Sequence, residues 1–311
     1  MINYILLATI HLLVVQACKP STERPVLNEA MDTIVRNELV DVKVMKELQP
    51  YLELPPVLTE CSGMIPIGTN QFLAHNDSGN KPYLYLFNTT GKMRTSVIKV
   101  TGVKNNDWEE LTSDDDFIYI GDTGNNGGTR QDLMIYKISK ADILTKTEVS
   151  PGIISFRYEG QTKFNDSNRH NFDCEAMISK GDSLFLFSKN RGDFRTDVYG
   201  LPKAPGNYVT SIMGSFDSDG LVTGADYRPQ GQDGELVLVG YTIHGKAFYP
   251  FILHFPKVES SGFLDGVHQR WSFEKILQTE TIAFSGPDKV VVTNEEEDGT
   301  PGFIYELTLT K

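Results

Sequence analysis

The chain has 311 residues, 40% of them apolar and 23% charged, with a formal net charge of −12 at pH 7. That apolar share supports a large core and argues against a disordered chain. The surplus of acid argues against a nucleic-acid partner, since such affinity comes largely from Lys and Arg neutralising phosphates.

The N-terminus reads as an export signal. Residues 5–15 form an apolar run broken by Thr9 and His11, too short to span a bilayer as a helix and suited to a signal-peptide core. Val15, Gln16, Ala17 and Cys18 follow and resemble the lipobox of bacterial lipoproteins, where a small residue precedes a cysteine that is lipidated and becomes the new N-terminus. The expected layout is a signal peptide over 1–17, a lipidated Cys18 with a tether over 18–38, and a folded domain over 39–311. In the tether, residues 19–25 hold two prolines and no apolar side chain, leaving nothing to pack. A plain secretory signal cut nearby is the alternative. Lipidation at Cys18 places the protein in the bacterial cell envelope, on the outer membrane, held by its lipid alone. Residues 40–44 then alternate Val-Asp-Val-Lys-Val, the period of a half-buried strand. An amphipathic helix over 31–48, with Ile34, Val35 and Leu39 on one face, competes with that strand.

From residue 62 onward the chain repeats. Five times an apolar strand opens on a small or acidic residue, at Ser62, Glu109, Glu175, Gly224 and Glu280, and a second apolar strand follows about ten residues later. Self-similarity at roughly 50 residues is the mark of a β-propeller, because one four-stranded blade cannot bury its faces alone and must stack on neighbours around an axis. The expectation is an all-β fold, a single β-propeller of five four-stranded blades, with six blades as the alternative count. The second blade is laid out as 110–113, 117–120, 133–138 and 152–158, and the third as 175–179, 183–187, 197–201 and 208–215. The last interval supplies three strands, at 281–284, 289–293 and 303–309, so the N-terminal strand at 40–44 is assigned to close the ring as its outer member. Cys61 and Cys174 each precede a strand opening in non-adjacent blades, too far apart for the Cα separation of about 4.4–6.8 Å a disulfide needs, and are expected as buried free thiols.

The first strand of each blade lines the axis of a propeller. In that register Glu109, Glu175 and Glu280 stand at equivalent positions, and three converging carboxylates call for a bound cation, a nearby Lys or Arg, or protonation. The turns after the second strands add His75, Asn76 and Asp77 in blade 1, Asp122, Asn125 and Asn126 in blade 2, and 294–298 in blade 5. Oxygen ligands of this kind suit calcium. The third turn carries Lys189 and Arg191 instead. A mouth so furnished could hold a metal at Glu109, Glu175, Glu280, Asp77 and Asp122 together with an anionic ligand. Capping of backbone amides by the glutamates is the alternative. Asp77-Ser78-Gly79 and Asp122-Thr123-Gly124 match the aspartic-protease triplet but recur at the same place in successive blades, which repeat descent explains better. Neither a Gly-x-Ser-x-Gly elbow nor a paired-His metal motif is present.

The runs 107–111, 119–126 and 135–138, with 75–79 before them and 172–176 after, resemble the phytase-like esterase and SdiA-regulated propellers, relatives of the calcium-bearing propeller lactonases. The resemblance covers about 58–310 and is weakest in the fourth blade, where Gly224 replaces the acid. It implies the propeller fold, calcium, and hydrolysis of phosphoesters or lactones. Two functions are carried forward. One is a monomeric envelope lipoprotein whose propeller binds a small anionic molecule, a glycan or an envelope protein. The other is a calcium-dependent hydrolase of phosphoesters or lactones, with His75 as general base and Lys189 and Arg191 positioning an anion.

Overall fold

The computed structural model describes residues 37–309 apart from 46, 91–92, 166, 232, 259–262, 265, 276 and 297–300. The signal peptide and Cys18 lie outside the described residues, as does the tether except for 37–38, which open a strand. The described chain is all-β but for one short helix, Lys140–Thr145, and its strands form five sheets, the blades of a single propeller.

From the axis outward, blade 1 is Cys61–Gly68, Gln71–Asn76, Tyr83–Asn88 and Thr95–Val100. Blade 2 is Trp108–Ser113, Phe117–Asp122, Leu133–Ser139 and Gly152–Tyr158. Blade 3 is Cys174–Lys180, Ser183–Ser188, Thr196–Pro202 and Ile212–Phe216. Blade 4 is Leu221–Gln230, Asp233–His244, Ala247–Val258 and Gly266–Phe273. Blade 5 is Thr279–Gly286, Lys289–Asn294 and Phe303–Thr308, completed by Gln49–Glu53 from the N-terminal side.

An N-terminal strand thus closes the ring, with Gln49 opposite Glu306 and Glu53 opposite Phe303. The alternating segment 40–44 is also a strand, but it runs parallel to Gly266–Phe273 on blade 4, with Val42 opposite Arg270. The same detour occurs twice more. Glu148–Val149 lies parallel on the outer strand of blade 1 before the chain completes blade 2. Gly206–Thr210 lies on the outer strand of blade 2 before Ile212–Phe216 completes blade 3. The strand expected over 208–215 is therefore two strands serving two blades. Each detour covers the unpaired N–H and C=O groups of a sheet edge and ties neighbouring blades together.

Burial follows position in the blade. The inner strand of blade 1 is buried over its first five residues, whereas the outer strand is exposed at four of six, because an inner strand has a neighbouring blade against both faces. The buried apolar side chains fall into clusters that each bridge consecutive blades. One joins Val237, Val239, Ile252 and Trp271 of blade 4 to Ile282, Val290, Val292 and Tyr305 of blade 5, and another joins Ala283 and Val291 of blade 5 to Met64 and Ala74 of blade 1. Cys61 and Cys174 are free and buried in two different clusters, and burial raises the Cys174 thiol to about 12.

One irregularity repeats and positions the site. In each inner strand the register with the second strand slips by a bulge, between Cys61 and Gly63, Trp108 and Glu110, Cys174 and Ala176, Val222 and Gly224, and Thr279 and Ile282. A bulge leaves an extra residue unpaired and re-aims its side chain, and the residues it releases are Ser62, Glu109, Glu175, Thr223 and Glu280. In blade 4 the equivalent residue is Thr223, one before the Gly224 expected from the sequence. Hydroxyls then pin blade to blade: Ser62 Oγ donates to the Glu109 carbonyl at 3.0 Å and Thr223 Oγ1 to the Thr279 carbonyl at 2.7 Å. Thr281 Oγ1 reaches the Met64 carbonyl at 3.2 Å across the closing junction.

Candidate functional site

Three of the bulged residues, Glu109, Glu175 and Glu280, open into a cavity of about 490 Å³ at the axial mouth, walled also by Asp77, Lys189 and Arg191, with Tyr241, Ile243 and Phe248 on the blade 4 side. Below it the carboxylate of Glu110, itself buried, crosses the axis to accept the Ala225 amide at 3.0 Å, and it also accepts the Leu111 amide at 2.9 Å.

On the blade 1 and 2 side, Asp77, Asp107 and Glu109 present carboxylate oxygens that all lie within 4.8 Å of one another. Backbone geometry holds them there. The Asp77 amide donates to the Glu60 carbonyl at 2.8 Å, the Asp107 amide donates to Asp122 Oδ1 at 3.1 Å, and Glu109 Oε2 accepts from Ser62 Oγ at 3.2 Å. Gly124 makes room for them, because a Cβ on it would lie 2.1 Å from Glu109 Oε1 and 2.5 Å from Asp107 Oδ2.

These carboxyls are partly or wholly buried among other acids, and their acidities shift accordingly. Burial raises Asp77 to about 7, with the negative charges of Asp107, Glu175 and Glu60 adding to the shift. Burial likewise raises Asp107, where Asp173 adds and Arg130 opposes. Glu109 is raised well above the carboxylate range by burial and then by the surrounding acids. The donor set is all carboxylate oxygen, which fits a hard divalent cation such as calcium rather than one that seeks nitrogen or sulfur. Burial and mutual repulsion both disfavour charge on these carboxyls, and a bound cation would offset that.

A pH dependence follows, with its sign set by linkage. Because the folded pKa of Asp77, near 7, exceeds its unfolded value of about 3.9, the native state holds a proton that the unfolded chain has released between those limits. Stability of the metal-free protein should therefore fall as pH rises toward and through 7, with Asp107 and Glu109 acting in the same sense. Added calcium should raise the melting temperature more at pH 8 than at pH 5.5. Scanning calorimetry with and without calcium at the two pH values checks this, and equal shifts would count against a carboxylate site.

The blade 3 side is balanced. Lys189 Nζ contacts Glu175 Oε2, and Arg191 lies 3.6 Å from Glu175 Oε1 and 3.1 Å from Asp173 Oδ2. Burial raises Glu175 to about 7 against the pull of Lys189 and Arg191, while Glu175 keeps the Lys189 ammonium charged despite its burial. The ammonium also lies 5.2 Å from the centre of the Tyr241 ring. On blade 5, Glu280 Oε1 accepts from Gln278 Nε2 at 2.7 Å, and burial holds its pKa well up.

Of the expected metal ligands, Asp77, Glu109, Glu175 and Glu280 all line the cavity, but Asp122 does not. It is fully buried beneath Asp107, 2.8 Å from Arg130 and 3.0 Å from the Tyr136 hydroxyl, so it braces the loop. His75 is fully buried and off the cavity wall, edge-on to Trp108 at 5.5 Å with Nδ1 3.1 Å from the Asn76 carbonyl. Burial lowers it to about 4, so it is neutral at pH 7 but out of reach of a ligand in the cavity. Lys189 and Arg191 are engaged by Glu175 and Asp173, which leaves little charge for an anion. Asp107 and Asp173 escaped the sequence reading, although each stands two residues before a bulge glutamate. Asp107-Trp108-Glu109 and Asp173-Cys174-Glu175 form a visible repeat. Gly124 recurs as Gly79 in blade 1, but nothing in the repeat marks it as facing the acids, and Tyr241 carried no signal, since only the fold brings it to the axis.

No family model matches the chain, and no curated protein matches it. Solved structures do. An α-L-arabinanase of Penicillium chrysogenum is 8% identical over 84% of this chain and 97% of that one, with a TM-score of 0.47. The catalytic domain of a Coprinopsis cinerea GH62 α-L-arabinofuranosidase is 12% identical over 84% and 95%, with a TM-score of 0.46. Glutaminyl cyclase of Myxococcus xanthus is 11% identical over 88% and 100%, with a TM-score of 0.43. The likeness is one of β-propeller fold alone.

Proposed function

We propose that the chain is a monomeric cell-envelope lipoprotein whose propeller binds a ligand at a divalent cation, calcium by its donor chemistry, in the axial cavity. The carrying observation is the convergence of Asp77, Asp107 and Glu109 within 4.8 Å around the space left by Gly124. These three residues would hold the ion, which when bound would supply positive charge and open coordination positions for ligand oxygens. Placement among the exported phytase-like esterase and SdiA-regulated propellers belongs to the same proposal and rests on the motifs at 75–79, 107–111 and 119–126. Calorimetric titration of the metal-free protein with calcium should show one site, lost in Asp107→Asn/Glu109→Gln. An unchanged titration in that variant would place the ion elsewhere, and no heat in the wild type would refute the cation reading.

Calcium-dependent hydrolysis is the second reading, favoured by Glu175, a carboxyl on the cavity wall whose pKa burial raises, a position from which it could transfer a proton. Turnover of phosphoester or lactone probes that needs calcium and vanishes in Glu175→Gln would displace the binding reading. The anchor has its own test. Cys18→Ala should move the protein from the membrane fraction to the soluble fraction, because a lipidated Cys18 is the membrane attachment in this proposal, and retention in the membrane would refute it.

A further inference from the structure

A second hollow, of about 560 Å³, opens beside the axial one between the loops of blades 2 and 3. The two share a wall. Asn126 lines the axial cavity and Gly128 the second hollow, and Asn168 lines the first while its neighbours Ser167 and Arg169 line the second. His170 Nε2, 3.1 Å from the Asn126 carbonyl, ties these two segments together.

The second hollow differs from the axial one in charge. Lys163 and Arg169 are exposed on its lining, and neither side chain has an ion-pair or hydrogen-bond partner among the described residues. The described acid on its lining, Asp193, accepts from the Asn171 amide at 2.8 Å and the Arg195 backbone amide at 3.1 Å, so two cations stand against one carboxylate. Lys189, Arg191 and Arg130, by contrast, are all held by carboxylates. Amide and hydroxyl groups of Gln161, Thr162, Asn165 and Asn171 line the second hollow together with the Phe172 ring, and at the far side of the axial cavity Ile243 and Phe248 form an apolar wall.

We propose that the ligand is an anionic oligosaccharide lying across both hollows, with an acidic sugar at the axial ion and the negative group of a neighbouring sugar at Lys163 and Arg169. This rests on the cation reading above. Sugar hydroxyls suit amide-rich walls, the C–H face of a ring suits Phe248, and free cations recognise the repeated charge. A nucleic acid would meet the net charge of −12.

The test titrates calcium-loaded protein with a short uronate oligosaccharide, a sulfated oligosaccharide and a neutral one of equal length. Binding of either acidic chain, with the neutral chain much weaker, is expected, and the two acidic arms separate carboxylate from sulfate. Lys163→Ala/Arg169→Ala, at exposed positions that leave the core untouched, should weaken the bound chain by about tenfold to a hundredfold with calcium affinity unchanged. Equal binding of the neutral chain, an unaffected double variant, or calcium binding without any oligosaccharide binding would each overturn the proposal. Failure of the wild type to bind calcium would sink the cation reading instead. Acidic-chain binding without calcium that is lost in the double variant would keep the Lys163 and Arg169 subsite.

Discussion

Replacing Lys189 with Met should destabilise the propeller by about 3 kcal/mol, because removing one member of a buried pair takes from the other its nearest counter-charge. Lys189 and Glu175 have side chains only 4% and 5% exposed, so Glu175 cannot recover its lost partner from water. Arg191, at 3.6 Å from Glu175, keeps the cost near the lower end of the range expected for such a break. The double variant Glu175→Gln/Lys189→Met should regain most of the loss, since it removes the charge together with its counter-charge. Urea unfolding midpoints of the wild type and the two variants measure both steps. A double variant as unstable as the single one would show that shape, and not charge, sets the role of Lys189.

Gly124→Ala should lower calcium affinity by about 10–100-fold, the usual range when support around a metal site is disturbed, while leaving the fold in place. The added methyl would meet Glu109 Oε1 at 2.1 Å and Asp107 Oδ2 at 2.5 Å. Both are ends of side chains that can swing aside, so the cost falls on the convergence of the carboxylates and not on the backbone. Gly214→Ala, where a Cβ meets nothing within 4 Å, serves as the control and should bind calcium as the wild type does. Full affinity in Gly124→Ala would mean that the trio is not the ion's seat.

The blades were legible because each inner and second strand is a short run of apolar residues ended by a polar turn, and the repeat is spaced by the size of one blade. What escaped is what crosses between blades. The segment 40–44 has the pattern of a strand but nothing in it names its neighbour, and pairing with Gly266–Phe273 depends on an exposed edge formed far along the chain. Residues 208–215 read as one strand because a chain that leaves one sheet edge for the next keeps its extended pattern, and the break at Ser211 is a change of partner only. In blade 4 the register moved from Gly224 to Thr223 because a bulge is a pairing event.

The site divides in the same way. Glutamates at equivalent places in three blades were visible as a repeat, and their approach to the axis follows from the fold that the repeat implies. Which of them stay charged was decided in three dimensions. Lys189 and Arg191, on the turn after blade 3's second strand, reach Glu175 and Asp173. Arg130 pairs with Asp122, and Asp77, Asp107 and Glu109 make no ion pair among the described residues. Sequence alone therefore determined an all-β propeller with acids around its axis, because strand period and repeat length are local properties. The tertiary structure decided which acids are paired and which converge, because an electrostatic balance depends on distances across blades and on the water excluded between them.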